Sequence, residues 1–309
     1  MSDPDVIIVG EIYIDHVMSG FERWPQPGEE IVSERYTREI GGGAAITACA
    51  LARLGRSVEL AGFIGVDDKA WFERRLAEFG VPTRGLRVVA GATGVTLSVS
   101  TREDRSFFTH AGLNLLLEKE LLADEFVARA TGARHVHFAM PLAQAAAQKL
   151  LPALAAVGCT TSLDVGYQPR WLTDEANHAI CQAVDYVLPN EKEAALLTQS
   201  HSPEDYFRFA RKLGLPNAIV KLGAKGAMAC ANGATIAVAP PAVTAIDSTG
   251  SGDAFDAGFI DALLDGAELE QRLRRACICG ALSTRAAGAL AGLPDRHELW
   301  STYEQTYGS

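Results

Sequence analysis

The feature that most constrains this chain of 309 residues is a glycine-rich stretch, Asp247 to Phe259, that separates two apolar patterns. It is preceded by an apolar segment, Ala234 to Ala239, and by a short extended run, Val243 to Ile246. After it, small and apolar residues recur at helical spacing from Ala254 onward. This order predicts a strand-like approach, a glycine-rich turn and a buried helix.

Such a turn directs several free backbone N–H groups at one point, and the helix dipole adds partial positive charge there. Phosphate is the expected occupant. Asp253 would lie beside that anion, which is unusual unless its carboxylate takes part in the chemistry. A carboxylate there suits a general base that takes a proton from an attacking hydroxyl during phosphoryl transfer. The spacing alone fits a helix entrance with Ser or Asp as the N-cap equally well.

Composition narrows the possible classes of protein. A chain of this length with 48% hydrophobic residues can bury a large core, and its net charge of −10 disfavours nucleic acid as a partner. It contains no run of eighteen apolar residues and no signal-like N-terminus, so we expect a soluble, cytoplasmic protein without a membrane partner. Six scattered cysteines without a Cys-x-x-Cys pair are typical of buried thiols in a reducing compartment.

Strand and helix patterns alternate along most of the chain, which predicts an α/β fold with a parallel sheet and helices on both faces. Val6 to Gly10 is a continuous apolar run, as expected for a central strand, and Asp15 follows where open α/β sheets bind ligands. Further predicted elements are the strands Val58 to Ile64, His135 to Ala139, Val184 to Leu188 and Ala218 to Lys221, and the helix Leu269 to Ala287. His135 and His137 share one strand face and are expected to be packed or hydrogen-bonded rather than metal-bound.

The stretch from Asp247 resembles the signature of the ribokinase-like (PfkB) carbohydrate kinases, Asp-Thr-Thr-Gly-Ala-Gly-Asp-x-Phe-x-x-Gly. Ser248 and Ser251 replace small residues of that signature. A second hallmark is Gly41-Gly42-Gly43 at the start of an Ala-rich helix that Gly55 closes. The resemblance covers nearly the whole chain. It implies a single ribokinase-like α/β domain over residues 1–309, with a central mostly parallel sheet and a small β-sheet lid from about 11–40 and 94–112, in which Glu30 to Glu39 forms a strand.

The resemblance implies roles for the residues of the site. Asp253 is the general base, and the N–H groups of Gly250, Ser251, Gly252 and Asp253 form the anion hole. The residues expected to bind the substrate are Asp15, Gly41, Gly42, Gly43, Ile46 and Asp253. Ile46 stands where the family usually has an Asn that bonds the substrate, and Gly166 and Gln168 likewise replace an Asn and an Arg.

A second set of residues is implied for ATP and for cations. The nucleotide-binding residues are expected to be Asn190, Lys221, Gly223, Gly226, Ser248, Thr249, Gly250 and Gly252. Asn190 and Glu193 lie three apart and resemble the family's Asn-x-x-Glu motif, which holds Mg²⁺ through water. As a generic pattern, an N-cap box explains that pair equally well. In relatives the start of the signature can also hold a monovalent cation such as K⁺, and Asp247 and Thr249 match that part.

The expected function is therefore ATP-dependent phosphorylation of a hydroxyl on a small sugar, with Mg²⁺, by a homodimer paired through its lids. A nucleoside kinase of the same family is one alternative, because Ile46 removes a contact specific to the sugar. The other alternative is a non-catalytic protein that binds a sugar or a nucleotide on the same fold.

Overall fold

The strand Val6–Gly10 (β1) lies in the interior of the large sheet, as its two apolar faces require. Val6 and Ile8 pack into a cluster with residues 44–51 and 254–264, whereas Ile7 and Val9 face a second cluster on the opposite side. The computed structural model describes residues 3–101, 105–200, 202–215, 217–231 and 234–308. Within these ranges the expected mostly parallel sheet with helices on both faces is confirmed.

The strands of the described residues form two sheets. The large sheet contains β1, β4 (Val58–Gly65), β5 (Leu86–Val89), β8 (His135–Ala139), β9 (Thr160–Leu163), β10 (Tyr186–Val187), β11 (Ala218–Lys221), β12 (Ala227–Ala231) and β13 (Ala234–Val238). The small sheet contains β2 (Tyr13–Ser19), β3 (Arg35–Gly41), β6 (Gly94–Ser100) and β7 (Arg105–His110).

The helices cover the faces of the large sheet. They are α1 (Gly43–Arg53), α2 (Lys69–Ala77), α3 (Leu117–Leu121), α4 (Asp124–Ala130), α5 (Gln144–Ala156), α6 (Pro169–Leu172), α7 (His178–Ala183), α8 (Glu191–Thr198), α9 (Pro203–Leu213), α10 (Ser251–Leu264), α11 (Leu269–Ser283) and α12 (Arg296–Tyr307).

The order of the large sheet is β13-β12-β11-β10-β9-β8-β1-β4-β5, and its strands from β11 to β5 are all parallel. From β1 the chain first builds outward through β4 and β5, and then from β8 in the other direction. The strand order therefore reverses between β1 and β8. In open α/β sheets, ligands bind beyond the carboxyl ends of the strands at such a switch point.

The small sheet has the order β3-β2-β6-β7, and β3 leads directly into Gly42 and α1. Its strands fall within the segments expected to form the lid, although residues 102–104 lie outside the described residues. The prediction for β3 is wrong at its start, because the strand begins at Arg35 rather than at Glu30. The ladder with β2 stops at the pair Ser19 and Arg35, so the preceding residues have no partner strand.

Three other expected boundaries need correction. The strand β10 covers only Tyr186–Val187 rather than Val184 to Leu188. The run Val243 to Ile246 does not form a strand. There the N–H of Ile246 donates to the carbonyl of Thr284, outside either sheet. The last long helix ends at Ser283 rather than at Ala287, and the carbonyl of Thr284 accepts from the N–H groups of Ile246 and Asp247 instead.

No helix among the described residues is long and apolar enough to cross a membrane. All six cysteines are free thiols, and five of them are buried.

His135 and His137 are buried within the large sheet, as the sequence predicts, and they share one hydroxyl group. The ring of His135 contacts Thr160 Oγ1 and Ser162 Oγ, each at 2.8 Å, and Nδ1 of His137 lies 2.7 Å from the same Ser162 Oγ. Burial lowers the pKa of His135 to about 3 and that of His137 to about 4.

We expect these histidines to weaken the fold in acid. In the unfolded chain they take up protons near pH 6.5, whereas in the folded protein they stay neutral, so their stabilising effect is complete above pH 6.5 and falls as the pH drops toward 4. As the pH falls through this window, the free energy of unfolding should drop by about 1 kcal/mol less per pH unit in His137→Leu than in wild type. Urea unfolding at pH 7.5, 6.5 and 5.5 measures how the free energy of unfolding of each protein depends on pH. An equal dependence in wild type and in His137→Leu would show that His137 does not stay neutral in the folded protein.

Candidate active site

Three parallel strands bring polar side chains to one edge of the large sheet. Asp164 directly follows β9, Asn190 precedes α8 just after β10, and Lys221 is the last residue of β11. A backbone bridge joins Asn190 to Lys221 in parallel register. These residues are therefore neighbours although up to 57 residues of sequence separate them.

The glycine-rich turn opens α10 at this edge, as the sequence predicts. Gly250 has a φ of 76°, and a β-carbon on it would lie 2.8 Å from the β-carbon of Ala289, so only glycine fits there. The N–H of Ser251 donates to Ser248 and that of Ala254 donates to Gly250. No backbone carbonyl among the described residues accepts from Gly252, whose N–H remains available at the start of α10.

The segment Gly41 to Gly43 brings its backbone against two carboxylates. A β-carbon on Gly41 would lie 2.1 Å from Asp15 Oδ1, and one on Gly43 would lie 2.6 Å from Asp253 Oδ1. Gly42 has a φ of 91° and passes close to the carbonyl of Glu11. The structure therefore brings Asp15 and Asp253 to the same short segment, as expected from their predicted roles.

Ile46 belongs to α1, and its side chain is buried against the glycine-rich turn. Its Cγ2 atom would lie 3.2 Å from a β-carbon on Gly250, and the hydroxyl of the next residue, Thr47, donates to the carbonyl of Asp253. Ile46 therefore fixes the turn against α1 by apolar packing. An Asn at this position would have to bury its polar amide group to make the same contact, which costs free energy.

Asp15 lies opposite Glu39 in the ladder between β2 and β3. Burial raises the pKa of the Asp15 carboxyl to about 6, and the negative charge of Glu39 adds to the rise.

A buried charge cluster lies beneath the turn. Oxygen atoms of Asp164, Asp253 and Asp256 all lie within 4.8 Å of one another. The Nζ of Lys221 contacts Asp164 Oδ2 at 2.6 Å and the two carboxylate oxygens of Asp256 at 3.0 and 3.2 Å. The sequence reasoning did not assign roles to Asp164 and Asp256. Asp256 lies one helical turn after Asp253, which is the only local signal that could have identified it.

Burial raises the pKa of the Asp253 carboxyl to about 7, the charge of Asp164 adds to the rise, and Lys221 opposes it. Burial also raises the pKa of Asp256 well above its ordinary value, although Lys221 opposes this shift too. Burial is also the largest single influence on Asp164 and acts in the same direction, but the charge of Lys221 and the hydrogen bonds from Asp256, Lys221 and Gly166 together outweigh it and hold the pKa of Asp164 below its ordinary value.

Asp247 connects the turn to the chain that follows α11. Its Oδ1 accepts from the N–H and the hydroxyl of Thr249, and its Oδ2 accepts from the N–H of Gly288. Thus the two residues matched to a monovalent-cation site, Asp247 and Thr249, are in direct contact.

The remaining predicted residues line the same edge of the sheet. Gly223 and Gly226 have φ angles of 56° and 91° in the loop between β11 and β12, and among the described residues no atom outside the adjoining residues lies within 4 Å of a β-carbon on Gly223. Gly166 has a φ of 66°, and its N–H donates to Asp164 Oδ1. Gln168 is the residue before α6.

Residues 3–296 match the sequence model of the pfkB family carbohydrate kinases. The chain belongs to this family. It is 33% identical over 272 residues to an ATP-dependent ribose-1-phosphate kinase of Halopiger xanaduensis, covering 87% of this chain and 88% of that protein. It is 28% identical over 303 residues to a ribokinase of Haemophilus influenzae, covering 94% and 95% of the two chains. A structure of Arabidopsis thaliana ribokinase complexed with ribose and ATP superposes with a TM-score of 0.86, at 25% identity, over 98% of this chain and 99% of that one.

As a pfkB carbohydrate kinase, the protein phosphorylates a sugar hydroxyl, and the fold predicted from the sequence is confirmed. The geometry explains why small residues dominate the two glycine-rich segments. They leave room for the Asp253 carboxylate against Gly43 and for the close packing of Ala289 and Ile46 against Gly250.

The sequence allows Asn190 and Glu193 to be either a pair that binds Mg²⁺ or an N-terminal capping box of α8. The structure contains the capping box. Asn190 Oδ1 accepts from the N–H of Glu193, and Glu193 Oε2 accepts from the N–H of Asn190. Glu193 Oε1 accepts from the side-chain amide of Asn190, so each Glu193 oxygen keeps one lone pair, whereas Asn190 Oδ1 also accepts from the N–H of Lys192. Burial, followed by the charge of Asp164, raises the pKa of Glu193 to about 7. A nearby cation would oppose the rise in the pKa of Glu193, and hard oxygen acceptors suit the water shell of Mg²⁺, so the Glu193 carboxylate fits the ion.

The close approach at Gly43 can be tested with one methyl group. Gly43→Ala should keep or slightly raise the melting temperature, because alanine favours the first turn of α1. Its methyl group would displace the Asp253 carboxylate and lower kcat by about tenfold or more. Gly132→Ala is the control, because its nearest protein atoms lie at an ordinary 3.4 Å. Normal turnover by Gly43→Ala would contradict the geometry of the site.

Proposed function

We propose that this carbohydrate kinase transfers the γ-phosphoryl group of ATP to a hydroxyl of a small free sugar, with Asp253 as the general base. The observation that carries the proposal is the position of the Asp253 carboxylate. It lies against Gly43 on the side of the predicted sugar site and belongs to the first turn of α10 on the side of the predicted phosphate site. A hydroxyl on one segment and a phosphoryl group on the other would meet at this side chain.

The acceptor would be held by Asp15 and the backbone of Gly41 to Gly43. Carboxylate oxygens accept hydrogen bonds from sugar hydroxyls, and a glycine backbone allows a polyol to approach closely. Asp253 would accept the proton of the attacking hydroxyl. In a loose transition state that proton leaves late, so the position of the carboxylate matters more than its basicity.

The phosphoryl group would be stabilised by the N–H groups of Gly250 to Asp253, including the available N–H of Gly252, together with the dipole of α10. The nucleotide would lie along Gly223, Gly226, Ser248 and Thr249, with the open space at Gly223 next to it. Asn190 and Glu193 would hold Mg²⁺ through water, and the ion would neutralise phosphate charge. Asp247 and Thr249 would contribute to a site for K⁺.

We further propose that two protomers pair through their small sheets in the cytoplasm. Tyr36, Phe107 and Phe108 of β3 and β7 are more than half exposed, a concentration of apolar surface that favours a protein interface. Six free cysteines suit a reducing compartment.

A nucleoside kinase remains the second candidate, because a nucleobase needs an aromatic surface. Trp24 and Phe108 make an edge-to-face pair with ring centres 6.1 Å apart, and both side chains are exposed. Initial rates of ADP release with free sugars, sugar phosphates and nucleosides would separate the candidates. Turnover only on nucleosides would replace the proposed acceptor but keep the proposed base.

Asp253→Asn tests the general base. The amide keeps the shape of the side chain but cannot take up the proton, so kcat should fall by about a hundredfold or more, whereas ATP binding measured by calorimetry should stay within about threefold of wild type. Near-normal turnover would exclude Asp253 as the base and with it the proposed mechanism.

The pH profile provides a second test of Asp253. The base must be ionised, so kcat should fall as the pH drops below about 7, the value to which burial raises the pKa of Asp253. ATP affinity measured over the same range controls for titration of the nucleotide. A rate that stays constant down to pH 5 would show that no group with this pKa controls the reaction.

Glu193→Gln tests the proposed metal contact. Glutamine can keep the capping box but not the negative charge, so the Mg²⁺ concentration for half-maximal turnover should rise by about tenfold. Glu191→Gln is the matched control, because Glu191 lies on the same helical turn and pairs with the exposed Lys225. An equal change in both variants would contradict a specific role for Glu193.

A further inference from the structure

We propose that Lys221 is a positioning residue for phosphoryl transfer. Its ammonium group acts as a permanent counter-ion that holds Asp164 and Asp256 and thereby keeps the Asp253 turn of α10 in its reactive position. This inference rests on the proposed function of Asp253. It differs from the role that the sequence suggested for Lys221, which was direct contact with the nucleotide.

The contacts of Lys221 leave its ammonium group little freedom. The residue is only 7% exposed, and within the described structure its Nζ makes three contacts with carboxylate oxygens, one to Asp164 and two to Asp256. An ammonium group has three N–H donors. A phosphate could be contacted only after one of these buried contacts had been broken, which is costly because the carboxylate would lose its partner.

These contacts join three separate parts of the site. Lys221 ends β11, Asp164 follows β9, and Asp256 belongs to α10. Asp256 is fully buried, and a β-carbon on Gly252 would lie 3.6 Å from the Nζ of Lys221. The ammonium group is therefore next to the same turn that carries Asp253, so the ion pairs fix the beginning of α10 onto the edge of the sheet.

Asp253 and Asp256 lie three residues apart on one face of α10, where like charges repel each other. Asp164 brings a third carboxyl within 4.8 Å. The other titratable groups facing the cluster are Glu193 from α8 and His137 from β8. Lys221 is the cation that the described residues place among these groups, and it lowers the pKa of Asp253, Asp256 and Glu193 against the effect of burial. Without it, the carboxyl groups would either take up protons or move apart.

The spacing of the three carboxyl groups suggests a specific test. Oxygen atoms this close are typical of a cation site, and the ammonium group of Lys221 pairs with two of the three carboxyl groups, those of Asp164 and Asp256. Lys221→Ala would remove the cation and leave a space of the right size and charge for a small amine. We expect kcat of Lys221→Ala to fall by about tenfold to a hundredfold, with the KM for ATP within about threefold of wild type. Methylammonium should restore at least about a tenth of wild-type kcat.

Two control variants make the rescue specific. In Lys221→Met the side chain fills the space, so kcat should be low and methylammonium should have no effect. In Lys212→Ala an exposed lysine of α9 is removed, and kcat should not change with or without the amine. A folded Lys221→Ala protein that binds ATP but shows wild-type kcat, or a reduced kcat that methylammonium does not raise, would overturn the proposal.

Lys221→Ala could fail to fold, because two buried carboxylates would lose their partner. The double variant Lys221→Met, Asp256→Leu removes the lysine and one of its two acids, so only Asp164 loses its partner and the melting temperature should be higher than that of Lys221→Ala. Its kcat should stay at least about tenfold below wild type, because the turn is no longer held by ion pairs. Wild-type kcat in this double variant would overturn the proposal, since Lys221 would then act on stability alone.

A measurement without catalysis separates this inference from the proposed function. In ¹³C NMR of carboxyl-labelled protein, the apparent pKa of Asp253 should be at least about one unit higher in Lys221→Met than in wild type. An unchanged titration would overturn the role of Lys221 even if the enzyme is active. If wild type is inactive on every acceptor but the titration shifts, the proposed function fails while the coupling between Lys221 and Asp253 stands.

Discussion

The site depends on a close approach of the segments that open α1 and α10, which glycine residues in both segments make possible. Gly43 at the start of α1 and Gly250 at the start of α10 lie where a β-carbon would meet Asp253 or Ala289. Gly10, the last residue of β1, likewise allows a close approach, because a β-carbon there would lie 2.5 Å from the carbonyl oxygen of Ala139 at the end of β8. The end of β1, the first turn of α1 and the first turn of α10 are thus packed against one another, and the Asp253 carboxylate lies where they meet.

This close packing gives the site its electrostatic character. Carboxyl groups brought together away from water would be neutral unless a cation accompanied them, and Lys221 supplies that cation from the end of β11. The parallel strands make this possible, since they end at one edge and bring residues from distant parts of the chain to within hydrogen-bonding distance. The scaffold and the chemistry of the site therefore depend on the same strand order.

The sequence predicts features that depend on neighbours along the chain. The apolar run of β1, the glycine-rich start of α10 and the capping box of Asn190 and Glu193 are of this kind. It could not predict features that depend on distant partners. The start of β3 is determined by where β2 ends, and the contacts of Lys221 join residues 57 and 35 positions away. Ile46 appears in the sequence as a missing hydroxyl contact, whereas in the fold it packs against Gly250. Tertiary contacts of this kind leave no periodic signal.

The ion group of Lys221, Asp164 and Asp256 also limits how this chain can change during evolution. Loss of the lysine leaves two buried carboxyl groups without their cation, whereas replacement of the lysine and one acid by apolar residues leaves only one. Substitutions at these positions should therefore be accepted in pairs. Among homologous sequences the three positions should covary, and a relative that lacks a lysine at the end of this strand is expected to lack one of the two acids as well.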